Sequence, residues 1–413
     1  MSGGATRSVT SQATALASRG SLLAFGSVSF AYFSYAGLFA TYAPLWFQSL
    51  GFGTLAIGAL ISAQSATRLF SPYAWGWLAD HSGKRVRVLR IAVACALASA
   101  FGYFVSSAYG WIAIVTVALF ISTAGVIPIS EAALAHFVSS GGTLDVGRYG
   151  RVRVWGSIGF VIAVVGSGAL LQASGVGLFP WLVLLLLAGL LIAALRVPTL
   201  PEAEAPTATE QPKGVLTVLR EPVVAWFFAG VFCTVLAHTS LYAFFSLYLV
   251  SLGYTKTAVG GVWATGVVAE VAWFWFQGRW FRRLSPHGWL TLAAAVTALR
   301  FPLIAVIGAL PWLLALLQCT HALTFAAQHS ACIAVINRHF PGRLRGRGQA
   351  LYTVLGYGAS GVVGGLAGGA LSEAFGFPAV FWAAGGTGVL GVVCSLLAGR
   401  FDRRDSLEAC AAV

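Results

Sequence analysis

The sequence predicts an all-α membrane protein with twelve transmembrane helices arranged as two pseudo-symmetric six-helix bundles. Hydrophobic residues make up 58% of the 413 residues and charged residues only 9%, whereas charged residues are about 25% of an ordinary soluble domain. Apolar runs of about 20 residues recur along the chain, and each is long enough to cross a bilayer as a helix. A sequence repeat at a constant offset, from Ser49 to Ser251, divides the chain into two related halves.

Twelve apolar runs are predicted to span the membrane. They cover 22–47, 54–79, 87–107, 110–136, 152–172, 177–197, 222–250, 257–281, 288–308, 311–336, 348–371 and 379–399. The predicted domains are therefore a disordered tail (1–21), two six-helix halves (22–197 and 222–399), a cytoplasmic linker (198–221) and a cytoplasmic tail (400–413). The linker is rich in proline and glutamate, a composition typical of a flexible connection.

The net charge of +13 and the pI of 9.9 come from arginines and lysines in alternate loops. The intervening loops carry only Lys256. Under the positive-inside rule this asymmetry places the basic loops and both termini in the cytoplasm, and the protein in the cell inner membrane. The charge therefore indicates topology, and no nucleic-acid partner is predicted. No C-x-x-C pair occurs among the six cysteines, so neither a metal nor a disulfide is implied. No cofactor is predicted.

The repeat aligns one ionisable residue in the middle of a span with another. Ser49-Leu50-Gly51-Phe52 returns as Ser251-Leu252-Gly253-Tyr254, and the same register places Arg68 over Glu270. A charge at the centre of a transmembrane helix costs about 2.5–3.5 kcal/mol by insertion scales, so such residues usually mark a transport path. Parallel repeats with charges near the midplane are the layout of a secondary transporter.

The loop after the second span carries a motif. Gly76-Trp77-Leu78-Ala79-Asp80-His81-Ser82-Gly83-Lys84-Arg85 resembles the cytoplasmic signature loop of the major facilitator superfamily. Gly83 suits the tight turn, and Asp80 can sit against a helix N-terminus or a neighbouring arginine. The resemblance implies a gating role for Gly76, Asp80, Gly83, Lys84 and Arg85; the alternative is a loop that only sets topology.

Further stretches narrow the resemblance. Several stretches are similar to the phenylpropionate permease family. They are Pro128-Ile129-Ser130-Glu131-Ala132, Tyr149-Gly150-Arg151-Val152-Arg153-Val154-Trp155-Gly156-Ser157 and Val268-Ala269-Glu270-Val271. That family is close to the lactose-permease-like oligosaccharide/proton symporters. The similarity extends over essentially all of 22–399.

The resemblance implies roles for individual residues. By resemblance to the lactose-permease-like symporters, Glu131 and Arg153 match the positions that bind substrate in that family. Glu270, Arg300 and His321 match the positions that couple transport to the proton. The glutamate that the family places three residues after the histidine is Thr324 here, which cannot titrate. Hence Glu270, Glu131 or a different coupling scheme must handle the proton. A purely structural ion pair remains the alternative for Glu131 with Arg153, and a core histidine for His321.

These features together predict a monomeric, proton-driven transporter of a small aromatic or other organic carboxylate, with the proton gradient as its energy source. Arg68 favours the carboxylate because the lactose-permease pattern has no arginine there, whereas the phenylpropionate pattern does. A guanidinium offers a carboxylate two parallel hydrogen bonds. We therefore assign Arg68 and Arg300 to substrate binding with Glu131 and Arg153.

Other functions stay open at this point. A sugar or nucleoside symporter is favoured if Glu131 and Arg153 bind hydroxyl groups and Arg68 only neutralises Glu270. A membrane enzyme is disfavoured, since the sequence contains no H-E-x-x-H or G-x-S-x-G motif. A receptor that uses the same scaffold without transport is a further alternative.

Overall fold

The computed structural model describes residues 19–140, 143–144, 146–199, 215–341 and 344–411. Helices dominate, apart from an antiparallel pair of two-residue strands, β1 (Ser139–Ser140) and β2 (Thr143–Leu144). The helices of the first half are α1 (Arg19–Ser49), α2 (Thr54–Thr67), α3 (Ser71–Ser82), α4 (Arg85–Phe101), α5 (Tyr109–Thr123), α6 (Val126–Val138), α7 (Val146–Ser174) and α8 (Phe179–Arg196).

The second half continues the same architecture. Its helices are α9 (Val215–Leu219), α10 (Pro222–Ser251), α11 (Lys256–Trp280), α12 (Pro286–Ile307), α13 (Pro311–Cys319), α14 (Gln328–His339), α15 (Leu344–Leu351), α16 (Ser360–Phe375) and α17 (Phe377–Ala411). Two π-helices, Ala322–Ala327 and Tyr352–Ala359, lie between α13 and α14 and between α15 and α16.

Eleven helical segments in the described part of the chain, some of them made of consecutive helices such as α5 and α6, are long and apolar enough to cross a membrane. The predicted all-α membrane fold is thereby confirmed. The predicted second span, 54–79, is not among these segments. It consists of α2 and α3, which are separated by a turn at 68–70.

Pro72 explains the interruption of the second span. Proline has no backbone N–H and its ring collides with the carbonyl four residues earlier, which here belongs to Arg68. A proline is tolerated in the first turn of a helix, and Pro72 lies in the first turn of α3. The chain therefore ends α2 with Arg68 as its C-cap residue and starts a new helix. The midspan arginine thus lies at a helix break.

The ends of the predicted domains also shift. Helix α1 begins at Arg19, inside the predicted tail 1–21, and residues 1–18 lie outside the described part. Helix α9 forms within the predicted linker 198–221, of which 200–214 is likewise not described. Helix α17 continues to Ala411 through the predicted tail 400–413. The predicted ends follow the apolar pattern, whereas helical hydrogen bonding continues into polar sequence.

Contacts between Cα atoms divide the chain into two compact units. The first comprises Met1–Phe39, Phe70–Ser167 and Gly177–Thr207, and the second comprises Ala40–Leu69, Gly168–Val176 and Ala208–Val413. These units differ from the predicted halves 22–197 and 222–399, because the segments 40–69 and 168–176 join the second unit.

Close packing of α2 on α16 accounts for part of this difference. A Cβ on Gly58 would lie far inside van der Waals contact with the Gly365 carbonyl oxygen, so only glycine fits at this approach. The hydroxyl of Ser62 donates to the carbonyl of Val362 at 2.7 Å, and the backbone N–H of Leu55 donates to Glu373 at 3.0 Å. Small residues let helices approach closely in a bilayer, and here they tie α2 into the second unit.

The two π-helices lie in the second unit and carry several of the polar residues described below. Such segments widen a helix by one residue per turn and occur frequently at functional sites, where they redirect side chains. The first carries Thr324 and Phe325, and the second carries Tyr352 and Tyr357.

Candidate substrate and proton site

A buried carboxylate–histidine contact lies within the second unit. Glu270, on α11, and His321, just before the first π-helix, approach to 2.8 Å between Oε1 and Nε2. Their side chains are 14% and 8% exposed, so the contact is largely shielded from solvent. The structure therefore brings together the two residues that the sequence assigned to the proton.

Arg300, on α12, extends this contact into a network and is itself 1% exposed. Its Nη1 lies 2.9 Å from Nδ1 of His321 and donates to Oγ1 of Thr324 at 2.8 Å, and its Nη2 donates to Oε1 of Gln318 at 2.6 Å. A guanidinium can only donate hydrogen bonds, so Nδ1 of His321 accepts.

These contacts fix the tautomer of His321. With Nδ1 accepting, the proton of the neutral imidazole lies on Nε2 and is donated to Glu270. A doubly protonated His321 would lose the hydrogen bond from Arg300 and place two cations 2.9 Å apart. The geometry therefore holds His321 neutral and leaves Glu270 as the group in this contact that can gain and lose a proton.

His238, on α10, is part of the network although the sequence analysis did not single it out. Its Nδ1 lies 2.7 Å from the Thr234 carbonyl, which only accepts, so Nδ1 carries a proton. Its Nε2 lies 3.1 Å from Oγ1 of Thr324 and accepts from that hydroxyl. Thr324 thus accepts from Arg300 and donates to His238.

The hydroxyl of Thr324 stands where related symporters were expected to carry a glutamate. A hydroxyl offers one donor and two acceptor sites, and here it joins a guanidinium to an imidazole without adding charge. A lone histidine within an apolar span gives little signal in the sequence. The spacing of His238 from Thr234 by one helical turn is the feature that could have marked it.

Replacing Thr324 by valine tests this network. We expect Thr324→Val to lower the melting temperature of the detergent-solubilised protein, because Arg300 and His238 each lose a buried partner at about 1–3 kcal/mol per unsatisfied group. The matched control is Thr265→Val on α11, whose hydroxyl bonds to the Gly261 carbonyl of its own helix. Equal melting temperatures for the two variants would contradict the linking role of Thr324.

A small cavity of about 10 Å³ opens beside this network, room for about one water molecule. It is lined by Val235, His238, Tyr242, Thr324, Phe325, Gln328, Tyr352 and Tyr357. Oε1 of Gln328 is buried and makes no hydrogen bond within the described residues. Aromatic side chains and hydrogen-bonding groups thus alternate around the cavity wall.

Arg68 lies at the break between α2 and α3 and is half-buried. Within the described ranges, its guanidinium forms no ion pair with a carboxylate, so the structure does not pair it with Glu270. The structure therefore leaves Arg68 outside the direct contacts of the Glu270–His321–Arg300 network.

Neither Arg300 nor Arg68 forms an ion pair with a carboxylate within the described residues. Arg300 is buried, and its guanidinium donates to the uncharged side chains of His321, Thr324 and Gln318. Because charge is costly to keep unbalanced away from water, these guanidinium groups favour an anionic ligand.

In the first unit, Glu131 on α6 and Arg153 on α7 form an ion pair at 3.3 Å. Their side chains are 32% and 53% exposed, so water screens the pair, and the contact contributes little to stability. The structure brings these two predicted residues together, and their accessible side chains leave them able to contact a ligand.

The signature loop also lies in the first unit. Asp80 accepts a hydrogen bond from Arg85 at 3.1 Å, and Gly83, with a φ of 59°, caps α3 in the left-handed conformation. Lys84 is the N-cap residue of α4. Gly76 lies within α3, where a Cβ would meet nothing within 4 Å. The turn and the ion pair adopt the expected geometry, and gating stays a prediction.

Comparison with known proteins decides the family. A sequence profile of the MFS_1 like family matches residues 22–383. The chain belongs to this family. It is a multi-pass membrane transporter of the major facilitator superfamily, as the signature loop had led us to expect.

Two proteins are similar in sequence to this chain over most of its length. A probable 3-phenylpropionic acid transporter of Escherichia coli (strain K12) is 28% identical over 356 residues, which cover 86% of this chain and 91% of the relative. A maltose permease of Geobacillus stearothermophilus is 27% identical over 380 residues, which cover 90% and 93%.

A solved structure shares the fold. The crystal structure of a mutant of the nucleoside transporter NupG superposes with a TM-score of 0.79 at 18% identity, covering 91% of this chain and 99% of that chain. At this identity the similarity shows the fold alone, and it confirms the predicted major facilitator fold.

Proposed function

We propose that the protein is a proton-coupled symporter of a small organic carboxylate, with an aromatic acid as the preferred class. The observation that carries the proposal is that two arginines lack a carboxylate partner within the described residues. Arg300 is buried and donates to three uncharged side chains, and Arg68 forms no ion pair with a carboxylate. A carboxylate ligand would supply the missing negative charge. The guanidinium of Arg68, at the helix break, can bind a carboxylate through two parallel hydrogen bonds.

The Glu270–His321–Arg300 network supports the coupling to protons. When Glu270 takes up a proton, the network gains a positive charge, and an anionic substrate offsets it. Binding of the proton and of the carboxylate therefore favour each other, which is the reciprocity that symport requires. The loaded site then carries the same net charge as a site with neither ligand bound.

The aromatic preference rests on the cavity wall and on one relative. Tyr242, Phe325, Tyr352 and Tyr357 line the cavity. In this structure the cavity has room for about one water molecule, so an aromatic ligand requires it to widen, after which its ring would pack against these rings in edge-on or offset geometry. The Escherichia coli relative is named for 3-phenylpropionic acid. The positive-inside assignment supports cytoplasmic termini and an inner-membrane location, and we propose that the transporter works as a monomer.

Uptake into proteoliposomes tests the proposal. With an inward proton gradient, we expect accumulation of radiolabelled 3-phenylpropionate that a protonophore abolishes. Unlabelled aromatic acids should compete, whereas maltose and a nucleoside should not. Accumulation that a protonophore leaves unchanged would contradict coupling, and competition by maltose alone would contradict the carboxylate class.

Sugar symport is the second candidate, favoured by a specific observation. The exposed Glu131–Arg153 pair offers both an acceptor and a donor for hydroxyl groups, and a relative at 27% identity is named a maltose permease. In that case Glu131→Gln should abolish sugar uptake, whereas Arg68→Lys should have little effect.

A further inference from the structure

Two histidines and an aspartate converge at one end of three helices in the second unit. His287 lies in the first turn of α12, His339 in the last turn of α14, and Asp402 near the end of α17. Their ligand atoms all lie within 4.8 Å of one another. None of these residues belongs to the network around Glu270.

The distances within this cluster are longer than hydrogen bonds. Nε2 of His287 lies 3.9 Å from Oδ2 of Asp402, and Nε2 of His339 lies 3.7 Å from Oδ1. A hydrogen bond would require about 2.7–3.2 Å. Atoms bound to a tetrahedral zinc ion at about 2.0–2.1 Å lie about 3.3–3.4 Å apart. The three ligand atoms lie within 4.8 Å of one another, so side-chain rotations that shorten these distances by at most about 1.4 Å would close the cluster on an ion.

We propose that His287, His339 and Asp402 form a binding site for a divalent transition-metal ion of the zinc type. Two imidazoles and one carboxylate are a donor set that suits zinc, with water as the fourth ligand. The side chains of the three residues are 7%, 14% and 15% exposed. Hence the site is shielded but retains access for an ion.

Further carboxylate and guanidinium groups surround the three ligands. Nδ1 of His339 lies 3.9 Å from a carboxylate oxygen of Glu221, which is beyond hydrogen-bond distance. If this distance shortens when the ion binds, Glu221 would orient the ring, as carboxylates behind metal-ligating histidines do. Arg338 donates to Oδ2 of Asp402 at 3.0 Å, which holds that carboxylate in place. The ion would join α12, α14 and α17, with α10 attached through Glu221.

Zinc binding to untagged protein in detergent tests the site. After chelator treatment and its removal, we expect titration calorimetry to give one zinc ion per chain, and cobalt to give the visible absorption bands of a tetrahedral site. Zinc should raise the melting temperature, because an ion that binds only the folded state stabilises it. Magnesium should not, since it prefers all-oxygen ligands.

Variants test the three ligands. We expect His287→Gln, His339→Gln and Asp402→Asn each to weaken zinc binding by at least tenfold. His81→Gln, at an exposed histidine outside the cluster, is the control and should retain zinc binding. Absence of stoichiometric zinc binding by the wild type, or wild-type affinity in the three ligand variants, would overturn the proposal.

Discussion

Glu270→Gln should abolish accumulation of substrate against a gradient while leaving exchange across the membrane. Glutamine has nearly the shape of a protonated glutamate, so the variant is fixed in the loaded charge state and cannot release a proton. His321 cannot take over the task, because Arg300 donates to its Nδ1 at 2.9 Å and a second proton there would remove that bond. We expect steady-state accumulation to fall to the level of equilibration.

The measurement is uptake driven by a pH gradient, compared in the same proteoliposomes with counterflow of labelled against unlabelled substrate. Glu373→Gln is the matched control, since this carboxylate also lies in the second unit, on α16, but is exposed and bonds to the backbone of Leu55. Accumulation that survives in Glu270→Gln would contradict the assignment and make Glu131 the better candidate. Loss of both accumulation and counterflow would show that Glu270 is needed for binding itself.

The fold was predictable from the sequence because its cause is local. Span length and the scarcity of charge follow directly from the thickness and low polarity of a bilayer. The break at Arg68 has a local cause too, since Pro72 is visible in the second span, but the apolar run around it continues without interruption. Pattern length alone does not show whether a span is continuous.

The network around Arg300 was only partly predictable. Charges within apolar spans identified Glu270 and Arg300, and the family resemblance added His321. His238 was missed because its role depends on Thr324, and the two lie on different helices. The π-helices could not be predicted either, since a shift in hydrogen-bond register depends on packing against neighbouring helices rather than on residue type.

The division of the chain into its two compact units was also not predictable from the local sequence. The approach of Gly58 to Gly365 joins α2 to the second unit, and such contacts depend on how two distant segments meet. The residue types along one span do not identify the span that packs against it. A regular spacing of glycines predicts close packing, but it does not name the partner helix.

Arg68→Lys should weaken binding of a carboxylate substrate by roughly ten- to hundredfold, which corresponds to about 1.5–3 kcal/mol for a charged hydrogen bond. Lysine keeps the charge but loses the planar pair of donors that matches a carboxylate. Arg68 is suited to this task because it forms no ion pair with a carboxylate in the described ranges and lies at a helix break, as the C-cap residue of α2.

The measurement is the affinity of the wild type and of Arg68→Lys for an aromatic acid and for its neutral amide. We expect the wild type to prefer the acid and the substitution to reduce that preference, because the amide cannot form the charged bond. Arg345→Lys, at an exposed arginine on α15, is the matched control and should bind both ligands as the wild type does. Equal affinity of the wild type for acid and amide would contradict the carboxylate assignment, and the Glu131–Arg153 pair would then become the better substrate site, with a neutral sugar or nucleoside as its ligand.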